Sequence, residues 1–281
     1  MQDPQRAEGR EMTFLEHLEE LRWTIVRCAI AIGVMMVGAF VAKDLLFDRV
    51  ILAPKEASFI TYRAFCKLGH QLGMGDALCP KGLDLQLQNI NISGQFSTHL
   101  MVSLVAGIIA AFPYVLWEIW RFIAPGLKSS ERQAARGMIA FATVLFLLGV
   151  AFGYFVLAPL GVQFFGTYQV SSTVRNAVAL DSYIGLVTSV TLWTGLVFEM
   201  PLVVVILTRM GVLGPASLRA YRRHAFVAIL LVGAILTPPD IISQLVVAGP
   251  LMLLYEFSIL LSARVVRRME AVRIHSPTPS V

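Results

Sequence analysis

Apolar residues in this chain fall into uninterrupted blocks of about twenty, the length that spans a bilayer. A helix rises 1.5 Å per residue, so such a block matches a hydrocarbon core about 30 Å thick. Hydrophobic residues make up 57% of the 281 and charged residues only 15%, with a mean hydropathy of +0.71. An ordinary soluble domain does not have this make-up. A membrane β-barrel alternates apolar and polar residues over short strands, and these long runs exclude it. The expected fold class is all-α, a polytopic membrane bundle.

Six spans can be drawn: Trp23–Ala42, Phe96–Ile119, Met138–Leu160, Tyr183–Leu207, His224–Leu236 and Ile241–Ala263. The expected organisation is an acidic segment 1–22, a six-helix domain 23–263 with a long loop 43–95, and a basic, partly disordered tail 264–281. No apolar stretch precedes the first span, so no cleavable signal peptide is read there. The fifth span holds about 13 residues, about 20 Å, which is short for an average bilayer and implies local thinning or a hollow in the protein.

Lys and Arg placement sets the orientation. The loop after span two carries Arg121, Lys128, Arg132 and Arg136, and the loop after span four carries Arg209, Arg219, Arg222 and Arg223. The tail adds Arg264, Arg267, Arg268 and Arg273, whereas the loop after span three has Arg175 alone. Both termini and the two basic loops are therefore expected in the cytoplasm. The net charge of +5 follows from this asymmetry, and no nucleic-acid partner is needed to explain it. The first external loop is basic as well, but loops of that length obey the rule weakly.

Enzymatic motifs are absent. There is no HExxH, no GxGxxG or P-loop, and no His/Cys cluster with metal-ligand spacing, so neither catalysis nor a cofactor is expected. Glu199 stands out, because it lies in an otherwise charge-free run about 15 Å from the Arg209 end of its helix, near the midplane. A carboxyl there costs about 2.5–3.5 kcal/mol by insertion scales, so it should face protein or water. Glu256 lies about 12 Å in from Arg264, with Gln244 and Asp240 nearer the other end of the last helix. A second polar group is cytoplasmic: Glu16, Glu19 and Glu20 before the first span, and Glu131 in a basic loop. Such carboxylates suit capture of guanidinium groups, and pairing with Arg22 or Arg27 on the helix surface is the alternative. Cys66 and Cys79 share the first loop, where an oxidising compartment would let them pair; two free thiols are the alternative.

The stretch His17-Leu18-Glu19-Glu20-Leu21-Arg22 resembles the HLxELR motif of the TatC family, the multispanning subunit of the twin-arginine protein translocase. Further likenesses follow in order. They are Ala53-Pro54, Met101-Val102-Ser103-Leu104, Phe122-Ile123-Ala124-Pro125-Gly126-Leu127 through Glu131-Arg132, and Phe198-Glu199-Met200-Pro201. The last hairpin contributes Thr237-Pro238-Pro239-Asp240, Ser243-Gln244 and Leu254-Tyr255-Glu256. Each is weak alone, and together, from about His17 to Arg264, they are specific.

The resemblance implies a signal-peptide receptor in the bacterial cytoplasmic (inner) membrane, with a concave, glove-like face. Glu20 and Glu131 would hold the two arginines, with Glu19 and Arg22 beside them. Glu199 and Gln244 would contact single-span partners of the TatA and TatB type, with Glu256 in the same polar set. Pro54, Pro125, Pro201, Pro239 and Asp240 would shape the frame. A homo-oligomer within a receptor complex, export of folded cargo and use of the proton-motive force are further implications. The competing class is a proton-coupled small-solute transporter with Glu199 and Glu256 as a relay. Repeat halves or broken helices would favour it, and the sequence shows neither.

Overall fold

The computed structural model describes residues 14–71, 73, 75, 79, 85–123, 129–171, 173, 176–236 and 241–275. Within its helices, the side chains of 14–15, 129–136, 236, 241–242 and 272–275 lie outside the described set. The protein is a helical bundle. Its long elements are α1 (Phe14–Val41), α3 (Gly94–Ile123), α4 (Ser129–Phe152), α6 (Leu180–Phe198) and α10 (Ile241–His275). Shorter helices are α2 (Ile60–Gln71), α5 (Ala158–Thr167), α7 (Met200–Arg209), α8 (Pro215–Ala220) and α9 (Arg222–Leu236).

Among the described residues, five helical stretches are long and apolar enough to cross a membrane: Glu16–Val41, Gly94–Ile123, Gly137–Thr167, Leu180–Arg209 and Ser243–Ala271. The short fifth span expected from the sequence is α9, at 15 residues. Three boundaries differ from expectation. Residues 14–22 are the first turns of α1 rather than a separate segment, so the HLEELR motif is helical. The last helix runs past Ala263 to His275 and takes in much of the basic tail. The fourth span is two helices, because Pro201 sits in the first turn of α7 and cannot donate to the preceding turn. Glu199 is the hinge between them, at φ −75° and ψ −2°.

The spans touch in a definite pattern: α1 lies on α3, α3 and α4 both lie on α6, and α10 lies on α7 and α9. Close approach depends on small residues, as expected where lipid removes the hydrophobic drive between helices. A Cβ on Gly107 of α3 would stand 2.8 Å from the Met36 backbone nitrogen of α1. A Cβ on Gly149 of α4 would stand 2.7 Å from Phe198 and 2.9 Å from the Cα of Gly195 on α6.

On the external side, the described part of the 43–95 loop is tied down by hydroxyls. Tyr154 donates to the Val50 carbonyl at 2.6 Å, and Tyr183 to that of Ile51 at 2.8 Å. The Tyr62 proton is shared between the carbonyls of Pro54 and Pro159, at 2.9 and 3.0 Å. Thr61 donates to the Phe155 carbonyl. Two short strands, β1 (Leu87–Gln88) and β2 (Val178–Ala179), pair in parallel and join this loop to the chain before α6. Cys66 and Cys79 form a disulfide with a Cα–Cα distance of 4.2 Å, and Cys28 is free.

Candidate functional site

At the cytoplasmic end, α1 and α3 run antiparallel, and two separate sequence motifs meet there. The His17 ring of α1 stacks on Phe122 at the end of α3, with centroids 4.4 Å apart and planes 20° from parallel. Glu20 is one turn further along α1 and half-buried, while Glu19 and Arg22 are exposed. Spacings of three and four residues put His17, Glu20 and Thr24 on one helix face. Thr24 is buried and donates back to the Glu20 main-chain carbonyl at 2.9 Å. The side chain of Glu131 and the whole of Pro125 lie outside the described residues, as do Pro239 and Asp240.

Directly above this end sits a carboxylate that reading the sequence passed over. Glu118 of α3 is 1% exposed. Its Oε1 accepts from the Tyr114 hydroxyl at 2.8 Å and faces Arg121 at 3.5 Å, and its Oε2 accepts from Arg27 of α1 at 3.4 Å. Arg121 also lies over the Trp117 ring, 5.6 Å from its centroid. A signal for the pair was present in the sequence: Arg27 and Glu118 are opposite charges, each inside an apolar run, at matching depth from the same membrane face.

The intramembrane polar residues separate into different environments. Glu199 is 7% exposed, and neither carboxylate oxygen has a hydrogen-bond partner among the described residues. A main-chain contact with Phe146 falls short of bonding geometry. Gln244, by contrast, is satisfied inside the chain and donates to the Leu230 carbonyl of α9 at 2.6 Å. Glu256 is bound to Arg222 at 2.6 Å, with both side chains substantially exposed. Of this trio, Glu199 alone is buried with its polar atoms unmatched. Pro54 and Pro201 are buried, the first in a single 3-10 turn under the external loop.

A polytopic helical bundle, with the acidic first turns of α1 packed against the end of α3 and a buried carboxyl at the break of a membrane-crossing helix, defines a multispanning membrane protein. The Sec-independent protein translocase protein (TatC) family model matches residues 16–250, and the chain belongs to that family. TatC of Blattabacterium sp. subsp. Periplaneta americana is 38% identical over 258 residues, covering 92% of this chain and 97% of its own. TatC of Desulforapulum autotrophicum is 35% identical over 253 residues, 90% and 85% of the two chains. A crystal structure of the twin-arginine translocase receptor TatC superposes with a TM-score of 0.67 at 29% identity, covering 89% of this chain and 100% of that one. The chain is thus a multi-pass component of the twin-arginine translocase in the bacterial cytoplasmic membrane.

Proposed function

We propose that this subunit is the receptor for twin-arginine signal peptides, and that Glu20 and Glu131 hold the two arginines with Glu19 and Arg22 beside them. The observation that carries the reading is the His17–Phe122 stack. It brings the HLEELR turns of α1 against the end of α3, from which the 124–131 segment continues to Glu131. Carboxylates suit this task because guanidinium is planar and offers a fork of donors that a carboxylate accepts in pairs. Lysine carries the same charge but cannot reproduce that fork, so a carboxylate site of this kind selects arginine over lysine by geometry.

The second half of the function is assembly. Glu199, buried in the bundle and unmatched among the described residues, favours a partner helix that brings a donor, and single-span TatA- and TatB-type subunits supply such helices. Gln244 contributes less, because its amide is already engaged by α9. Cargo capture is followed by gathering of partner helices around Glu199, and the proton-motive force drives passage of the folded protein. The break of the fourth span at Glu199 is a feature that favours a solute transporter and that the sequence did not show. A relay through Glu199 and Glu256 nonetheless has less support, since Glu256 is held by Arg222 at 2.6 Å.

Photo-crosslinking from positions 20 and 131 to a twin-arginine peptide, in membranes and beside a twin-lysine control, tests the receptor reading. Crosslinks formed with the arginine peptide and lost with the lysine one are expected. Equal labelling of both would reduce the site to a general binder of apolar segments.

A further inference from the structure

We propose that Glu118 is a positioning residue that sets the register of α1 on α3 through Arg27, and thereby places Glu20 where cargo arginines are read; this rests on the receptor reading above. Glu118 does not contact cargo itself. It is 1% exposed, and both of its oxygens are occupied by Tyr114, Arg121 and Arg27.

The case begins with how little else holds α1. Only 6% of the apolar window of this helix is buried inside the protein, against 28–50% for the other four spans. Among its described side chains, Thr24 alone is buried. The helix therefore depends on its seam with α3, and that seam has four fixed points. At the external end His99 stacks on Phe40, with centroids 3.9 Å apart. In the middle, Gly107 lets the backbones meet at Met36. At the cytoplasmic end come the Arg27–Glu118 ion pair and the His17–Phe122 stack.

Ring stacks and a backbone groove tolerate sliding and rotation better than an ion pair does. A charge pair in a largely apolar seam favours one register, because a slipped α1 would leave the buried carboxylate with Arg121 alone and without the Arg27 guanidinium. Arg27 lies seven residues, or two turns, beyond Glu20, about 10.5 Å along the axis and on nearly the same face. Holding Arg27 therefore fixes both the height and the facing of Glu20. Tyr114 and Arg121 anchor Glu118 from its own helix, so the clamp acts from α3 onto α1.

The experiment uses the full chain in lipid nanodiscs, with Glu118→Gln, Arg27→Gln and the double variant. Affinity for a twin-arginine peptide is measured beside a twin-lysine control. Pulsed electron spin resonance reads the distance between labels on the exposed Leu18 and Val212 without any peptide. Each single variant should weaken arginine-peptide binding by about tenfold and broaden the distance distribution, and the double should be no worse than Glu118→Gln alone. Should Glu118→Gln not fold, Arg27→Gln still tests the idea, because it leaves Glu118 with Tyr114 and Arg121. Unchanged distances and affinity in either single variant, or effects that simply add in the double, would overturn the proposal. Wild-type protein that binds both peptides equally would remove the receptor reading while leaving the distance result to stand by itself.

Discussion

At the residue scale, two side chains invite direct tests. Tyr62 is almost fully buried, with its hydroxyl between the carbonyls of Pro54 and Pro159. Tyr62→Phe leaves both acceptors without their donor and should cost about 1–3 kcal/mol, read as a lower melting temperature in detergent. Burial also pushes the Tyr62 phenol up from its ordinary value. Its raised pKa gives a contribution that is complete below about pH 10 and is lost as the pH rises beyond that. Wild-type stability should therefore decline on the alkaline side, and Tyr62→Phe should decline less. Glu199 gives a test of a different kind. If its task is a polar contact with a partner helix, Glu199→Gln keeps export of a twin-arginine reporter near wild type, while Glu199→Leu loses most of it. Export abolished equally by both would show that the ionisable proton is required.

At the scale of elements, the seam between α1 and α3 is the weak joint. A side chain at Gly107 would place its Cβ 2.8 Å from the backbone of Met36, which no flexible tip can relieve. Gly107→Val should push α1 away, and faster maleimide labelling of Cys28, the free thiol on that helix, would report it. The spans themselves were legible because a run of about twenty apolar residues has few other uses. What escaped was the behaviour at their ends. Residues 14–22 are rich in helix formers, Leu, Glu and Arg, but their charges keep them out of any apolar block, so hydropathy alone begins the span at Trp23. The break at Glu199 was legible in principle, because Pro201 follows two residues later, but a single hydropathy block hid it. Glu118 escaped because it looks like a stray charge near a span end, and Arg27 reads from the sequence as a partner for acidic residues of its own helix. Only the antiparallel pairing of two distant helices turns them into one interaction.

At the scale of the whole molecule, the external loop is held by covalent and hydrogen bonds, whereas the cytoplasmic end of the α1–α3 seam rests on the His17–Phe122 stack and the Glu118 ion-pair cluster. Removing both Cys66 and Cys79 opens a loop of 13-residue separation. Chain-entropy arguments put that at about 3 kcal/mol for a loop of this length. Cys66→Ser with Cys79→Ser should lower the melting temperature and abolish the mobility difference between reduced and unreduced gels, with export at permissive temperature retained. An unchanged melting temperature would show that the tyrosine bonds alone hold the external loop.

That disulfide also has a bearing on how the chain is made. Cytosolic thiols are kept reduced, and the bond closes only in an oxidising compartment. A copy threaded into the membrane upside down would present Cys66 and Cys79 to the reducing side and keep them as thiols. Closure therefore works as a certificate of topology: it forms only after the loop has been delivered across, and it records which way round each molecule was installed.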